Sequence, residues 1–593
     1  MTAAGRVATQ AGPREDSPRP APPPEKLPPR EPVVPAKLRS TLRRVFGLRA
    51  LRPGQAEVID RVLAGQNTLA VMPTGAGKSL CYQLPAVLSE ALTVVISPLI
   101  ALMKDQCDAL AALGVPAVQL HSALDANRRL EAEALLVRGA VRVLFTTPER
   151  LADARTLGLL QEQRVGLLVV DEAHCISHWG HDFRPAFSAL RDARRALGRP
   201  PVLALTATAS APVQREIAQA LGIPRDGVLC HGVYRANLRL AVELPQTEAQ
   251  RRDFILRRLQ GLEGMPGSAI VYCATVREAT ALHRQLREAN VPVGLYHGKL
   301  PAKERVAAQE AFMRDEARVM VATNAFGMGI DKPDIRLVLH AQMPASIEAY
   351  VQECGRAGRD GEPADCVLLF REGDRALQQF FASGHAPSRE ELSAVWRALA
   401  SHTPQRGWLP AALAEMARLP QGRLGQALAA LRSVRALRGS EADGLRPATR
   451  RDAGTVIAAA EAAALQRQQS GRDGLAAMVL YAKAGNCRWA GVLAHFGEAL
   501  DDGASRCSHC DSCARFERLL AAERTTPSAE TPTPAAHRAP PVAFMAGQRV
   551  RVRRFGWGEV QACTPEAVSI AFPRHGVRDI HPDFVSPSPG LTR

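Results

Sequence analysis

Short apolar runs recur along the first two thirds of the chain, separated by stretches with a helical pattern of apolar and polar positions. One series occupies residues 68–72, 92–96, 142–145, 167–170 and 202–205. A second occupies residues 269–272, 293–296, 319–322 and 337–339. Runs that are apolar at nearly every position suit strands buried on both faces. With helices between them they predict parallel sheets covered on both sides, an α/β architecture. The interruption near 225–265 predicts two such domains in tandem, over 37–227 and 228–372.

Beyond residue 372 the strand-like runs stop. Residues 392–400, 409–419 and 423–437 have helical periodicity, and the Gly-containing segment 438–446 reads as a wing. Residues 387–450 are therefore expected to form a winged-helix-like insert. Ten Arg against five acidic residues give this stretch a charge of +5. That charge suits a DNA-binding winged helix, or equally a packed helical insert with a solvated arginine face. Residues 451–520 continue as a helical, cysteine-bearing subdomain. Residues 544–588 alternate over short strands with Gly turns and predict a small β-barrel. Two Pro-rich segments, 1–36 and 521–543, read as a disordered tail and a linker.

Composition narrows the function classes. The chain has 593 residues, with 75 Lys+Arg against 59 Asp+Glu and a net charge of +16. The surplus calls for a polyanionic partner, although the arginine excess also reflects a general Arg, Ala and Pro bias. No apolar run approaches the length of a membrane span, and the N-terminus lacks the apolar core of a secretory peptide. A cytoplasmic protein, near the nucleoid in a bacterium and without a membrane partner, is expected.

The candidate chemistry follows the strand-like runs. Pro73-Thr74-Gly75-Ala76-Gly77-Lys78-Ser79 lies between the first run and a helical stretch, the setting of a P-loop. Thr74, Gly75 and Gly77 would wrap phosphates with backbone N–H groups, and the helix N-terminus adds partial positive charge. Lys78 would reach the β- and γ-phosphates and Ser79 would ligate Mg²⁺. Met72 stands where GxxxxGKS has its first glycine. Asp171-Glu172-Ala173-His174 follows the run 167–170. At a strand's C-terminal end, Asp171 would hold Mg²⁺ and Glu172 would orient and deprotonate the attacking water. Thr206 and Thr208 suit a relay to a second ligand. In the second series, Arg356 and Arg359 are three residues apart in a Gly-framed segment, 352–359. From there they would stabilise charge on a transferring phosphoryl group.

Eight of the twelve cysteines are scattered singly; Cys487, Cys507, Cys510 and Cys513 cluster. The x2 spacings and a fourth thiol nearby predict tetrahedral sulfur ligation of structural Zn²⁺, with an iron–sulfur cluster as the alternative. His509, inside one x2 gap, is not expected to be a ligand.

Taken in order, FGLRALRPGQ at 46–55, TGAGKS, SPLIALMKDQ at 97–106, TTPE at 146–149, DEAHCISHWGHDFRP, LTATA, VYCA at 271–274, TNAFGMGIDKPD and QECGRAGRDG closely resemble the RecQ family of superfamily 2 helicases. The resemblance covers roughly residues 40–371 and the cysteine region. It implies two RecA-like domains with ATP between them, and a DNA helicase of 3′→5′ polarity acting in recombination and repair. Arg52 and Gln55 would recognise adenine, and Asp331 would lie near the nucleotide. Trp179, Phe183 and Arg184 would form the aromatic-rich loop that binds single-stranded DNA, a role for which aromatic faces are suited. His297 would touch the strand, although His297-Gly298-Lys299-Leu300 departs from the family's pattern. The cysteines would form the family's zinc subdomain. The insert precedes that subdomain, whereas the family's winged helix follows it. The expected partners are single-stranded and branched DNA, bound by a monomer. Residues 544–588 resemble the Tudor-like module of UvrD/PcrA-type helicases, which implies docking on RNA polymerase; their charge equally fits weak nucleic-acid binding, with docking slightly favoured. The alternative reading is a DNA-stimulated translocase or a transcription-coupled repair factor.

Overall fold

The structure is a computed structural model. It describes residues 36–587, except 178–184, 262–265, 328–329, 383–385, 402–403, 405–406, 440–443, 450, 501–502, 526–543, 554 and 565–566. The expected tail and most of the expected linker lie outside the described residues. The linker was expected to start at 521, but the helix Asp511–Thr525 runs through that point.

Every apolar run in the first half becomes a strand. The first sheet contains β1 (Thr68–Val71), β2 (Leu92–Ile96), β3 (Ala117–Leu120), β4 (Val143–Thr146), β5 (Val165–Val170), β6 (Val202–Thr206) and β7 (Val228–Cys230). All pair in parallel, in the order β3-β4-β2-β5-β6-β1-β7. The second sheet contains β8 (Leu238–Glu243), β9 (Ser268–Tyr272), β10 (Val293–Tyr296), β11 (Val319–Ala322), β12 (Ile335–His340) and β13 (Ala364–Leu369). It is parallel too, in the order β10-β11-β9-β12-β13-β8. Strands β3, β7, β8 and β13 had no apolar run to announce them. Strands β3, β7 and β8 lie at or near sheet edges, where half the positions face away from the core: β8 reads Leu-Arg-Leu-Ala-Val-Glu. Because β7 pairs with β1, residues 228–230 belong to the first sheet. The crossing between the sheets is thus the strap 231–237, not the expected point at 227/228.

Apolar cores cover both faces of each sheet. One core of the second sheet continues without a break into the cysteine region, joining Leu238 and Leu240 of β8 to Trp489, Val492 and Phe496. The helix Arg488–Phe496 and its neighbours therefore cover an edge strand that would otherwise present unpaired backbone.

The insert consists of three helices and a short two-stranded hairpin. Helices Arg389–Ser401, Pro410–Ala417 and Gln421–Ser433 are joined by a bridge between Trp408 and Leu445 and by the hairpin of β14 (Leu437–Arg438) and β15 (Arg446–Pro447). The third helix stops four residues before the expected 437, and Arg435 takes a left-handed φ of 57° in the turn that follows. The helix Gln421–Ser433 lies against the turn Pro185–Ala189 of the first domain. The 31-residue helix Ala453–Lys483, capped by Asp452, serves two cores. Val456, Ile457 and Ala460 close the insert, while Leu475, Met478 and Tyr481 pack into the second domain.

The C-terminal unit is an antiparallel sheet of β16 (Arg549–Val552), β17 (Gly556–Cys563), β18 (Val568–Phe572), β19 (Gly576–Ile580) and β20 (Val585–Pro587). Its order is β19-β18-β17-β16-β20, over a core of Val550, Val560, Ile570 and Phe572. Closure into the expected barrel is not among the described pairings. Among the described residues no helix is long and apolar enough to cross a membrane.

Candidate nucleotide cleft and metal centre

The P-loop leaves β1 and turns through Gly75 and Gly77, with φ of 87° and 76°, into the helix Leu80–Leu88. Glycine at 77 also answers a close approach: a Cβ there would stand 2.6 Å from Gln55 Nε2. Met72 is fully buried, and its N–H donates to Thr206 O at 3.0 Å. Its side chain belongs to the core under the loop, so this site has no need of the missing glycine. Gln55 Nε2 donates to the carbonyls of Ala76 and Gly77 at 3.0 and 2.9 Å. Arg52 donates to Gly75 O. The two expected adenine contacts thus brace the P-loop from the rim of the cleft.

That cleft is a cavity of about 570 Å³ between the two α/β domains. From the first domain it is lined by Arg52, Gln55, Thr74, Gly75, Gly77, Lys78, Ser79, Asp171 and Glu172. From the second come Asp331, Arg356 and Arg359. Lys78 Nζ lies 3.3 and 3.4 Å from the carbonyls of Met72 and Pro73. Burial lowers its pKa, against the opposing pull of Glu172 and Asp171. Asp171 is pushed up to about 7 by burial and then by Glu172. Burial also acts to raise Glu172, but the hydrogen bond and charge of His174, with Lys78 and Arg356, hold it down at about 2. Glu172 has a left-handed φ of 48°, a strained conformation for a side chain of its size. His174 Nδ1 lies 3.3 Å from Glu172 Oε2 and 3.1 Å from Thr206 Oγ1. Thr206 Oγ1 donates in turn to Thr208 O at 3.0 Å, so a polar chain runs from the carboxylate to the LTATA segment.

On the opposite wall, Arg356 donates to Gly327 O and Arg359 pairs with Asp331 at 2.7 Å. A Cβ on Gly355 would stand 2.8 Å from Thr74 Oγ1, so the arginine loop packs backbone-close on the P-loop. His297 is buried in the turn after β10, apart from the cleft lining. Trp179, Phe183 and Arg184 lie outside the described residues. The sequence reading missed Arg235 and Asn237, which reach the arginine loop from the strap. Their signal was a polar pair, Arg235-Ala236-Asn237, immediately before an unrecognised strand.

The four cysteine sulfurs all lie within 4.8 Å of one another. Four sulfurs 2.3 Å from a common ion would stand about 3.8 Å apart, so the set fits a tetrahedral Zn²⁺. Backbone N–H groups of Arg488 and Cys513 approach Cys510 Sγ at 3.4 Å each, and that of Cys507 approaches Cys487 Sγ at 3.2 Å. Hydrogen bonds from Cys507 and Cys510 bring the Cys487 thiol down to about 3. His509 directs Nδ1 to Cys507 O at 2.7 Å, while the four thiols form the cluster.

Two parallel-sheet domains with a P-loop on one wall and paired arginines on the other define a helicase-type core. In agreement, residues 52–216 match the DEAD/DEAH box helicase family and 251–361 the helicase conserved C-terminal domain. Residues 450–514 match the RecQ zinc-binding domain. The chain is 40% identical over 365 residues to the probable ATP-dependent DNA helicase RecS of Bacillus subtilis (strain 168), covering 61% of this chain and 73% of that protein. It is 45% identical over 347 residues to ATP-dependent DNA helicase RecQ of the same organism, covering 58% of each. RecQ of Synechocystis sp. is 40% identical over 359 residues, 58% of this chain and 75% of that protein. The chain belongs to the RecQ family. It spans little more than half the length of some of these relatives, such as 52% of Pasteurella multocida RecQ.

Proposed function

We propose that this protein is an ATP- and Mg²⁺-dependent DNA helicase that unwinds duplex or branched DNA with 3′→5′ polarity in recombination and repair. The observation that carries the reading is the division of one phosphate site between two domains. Lys78, Asp171 and Glu172 lie on one wall, and Arg356 and Arg359 on the other. Hydrolysis then requires the walls to close, and product release lets them part. Bound at Ser79 and Asp171, Mg²⁺ would shield phosphate charge and favour the ionised form of Asp171. Glu172, held ionised, orients the attacking water and accepts its proton. Lys78, Arg356 and Arg359 stabilise the charge that develops on the γ-phosphoryl oxygens. The chain His174–Thr206–Thr208 links Glu172 to the LTATA segment, a path by which a bound strand of DNA would reach the hydrolytic carboxylate.

The protein works in the cytoplasm as a monomer. Its C-terminal sheet docks on a protein partner such as RNA polymerase; exposed Trp557 and Phe584 support this. The test compares unwinding of a 3′-tailed duplex, a 5′-tailed duplex and an RNA duplex by wild type and Lys78→Ala. Unwinding of the 3′-tailed DNA alone, with at least a 10³-fold loss of ATP hydrolysis in Lys78→Ala, is expected. Equal hydrolysis in the variant would sink the assignment of the site.

A further inference from the structure

We infer that Arg235 is a positioning residue for the arginine pair, and that the cysteine subdomain sets the position of the strap that carries it. The inference rests on ATP hydrolysis in the cleft and adds a connection to it.

The strap 231–237 is the covalent crossing between the two sheets. Arg235 spans two carbonyls of the arginine loop, donating from Nη1 to Gly355 O at 3.0 Å and from Nη2 to Gly358 O. Asn237 Nδ2 donates to the same Gly358 O and to Glu362 O, both at 2.9 Å. Together they hold the loop on either side of Arg356 and up to Arg359. Arg235 sits behind the P-loop, beside a small void shared with Thr74, Thr208 and Tyr350. Its guanidinium carbon lies 3.9 Å from where a Cβ of Gly75 would be. P-loop, arginine loop and strap therefore meet at one guanidinium that is already committed to backbone oxygens. The planar fork suits that task, whereas a lysine offers one point charge on a flexible stem.

The strap's other contacts belong to the cysteine subdomain. Val233 N–H donates to Glu498 Oε2 at 3.0 Å. Tyr234 packs edge-on against Trp489 at 5.0 Å between ring centres. Trp489 Nε1 donates to Leu238 O at 2.9 Å, and Asp511 Oδ2 accepts from Val242 N–H at 3.1 Å. Asp511 follows Cys510 and is clasped by Arg488, which follows Cys487. The metal knot is thus anchored on both sides of the arginine loop's two supports, at Val233 and at Leu238 and Val242. Its influence on hydrolysis runs through Arg235, in addition to any effect on stability.

The test uses the zinc-loaded full chain. Arg235→Ala should lower kcat for DNA-stimulated ATP hydrolysis about 30-fold, with KM for ATP changed less than threefold and the melting temperature held within about 2 °C. Arg235→Lys should stay within threefold of the alanine variant. The double variant Arg235→Ala/Arg359→Ala should lose far less than the product of the two single losses, because Arg235 acts through the loop that carries Arg356 and Arg359. Amide exchange across 355–362 in nucleotide-free protein should quicken in Arg235→Ala. It should quicken also in Glu498→Ala, with one zinc still bound per chain. An unchanged kcat in Arg235→Ala, or losses that multiply in the double variant, would overturn the positioning role. Unchanged exchange in Glu498→Ala would overturn the zinc connection. Failure of wild type itself to hydrolyse ATP would instead remove the proposed function.

Discussion

The nucleotide cleft and the cysteine knot are built on opposite plans. The cleft collects side chains from residue 48 to residue 360, from both walls of a gap that has to change width. Its basic groups rest on acceptors they can leave: Lys78 on two P-loop carbonyls, Arg359 on the exposed carboxylate of Asp331. The knot takes four thiols from residues 487–513 and surrounds them with N–H donors and apolar side chains. A site that must cycle is assembled from weakly held, replaceable contacts. A site that must stay put is local and buried. The same polypeptide joins the two, since the knot's neighbours Arg488 and Asp511 are tied to the strand next to the strap.

The comparison breaks if the knot is dispensable. Cys510→Ser should abolish stoichiometric zinc binding and lower the melting temperature by roughly 10 °C, because structural zinc binding is coupled to folding. Metal analysis and a thermal scan read both, and a zinc-free protein with wild-type melting would contradict the assigned role. The cleft should behave in the reverse way. Arg359→Ala should reduce kcat about 10²-fold and leave melting unchanged, since its loss removes charge stabilisation rather than packing. A steady-state ATPase assay beside the same thermal scan makes the contrast direct.

A third measurement probes the seam between cysteine subdomain and motor. His495 Nε2 meets Glu348 Oε1 at 2.7 Å. Burial would raise the Glu348 pKa, but His495 holds it at about 2, below its ordinary 4.5. A carboxylate with a depressed folded pKa stabilises the fold above its unfolded pKa and loses that contribution as pH falls towards the folded value. Glu348→Gln should therefore cost about 2 kcal/mol at pH 7, and less as pH drops from 4.5 towards 2. Urea titrations at pH 7 and pH 4 test this; a constant difference would contradict it. The smallest effect is expected from Gly355→Ala, whose new methyl meets Thr74. It should part the P-loop from the arginine loop and lower kcat about tenfold without altering zinc content.

Legibility in the sequence tracked locality. The P-loop, the DEAH tetrapeptide and the three closely spaced cysteines are short motifs with their mechanics built in, and each falls where its motif places it. The nine apolar runs were readable because strands buried on both faces have no polar alternation to confuse the pattern. Strands β3 and β8 were unreadable for the opposite reason: at an edge, Gln119, Arg239 and Glu243 break the run. The insert was legible in its three helices. Its first strand is the single residue Trp408, bridged to Leu445, and no sequence window resolves a strand of that length.

The inventory was readable before any packing: two parallel α/β domains, a triphosphate loop, a carboxylate pair, two arginines and four thiols. Residue type and spacing suffice there, because backbone turns and coordination numbers are local constraints. How those parts are joined became visible in the packed molecule. Packing placed β7 with the first sheet and drew the cysteine region onto the edge of the second. It divided the helix Ala453–Lys483 between two cores, and set Arg235 against carbonyls more than a hundred residues away. Such contacts depend on which apolar faces and unpaired backbone groups remain after each element has formed, and that is settled only when the whole chain packs.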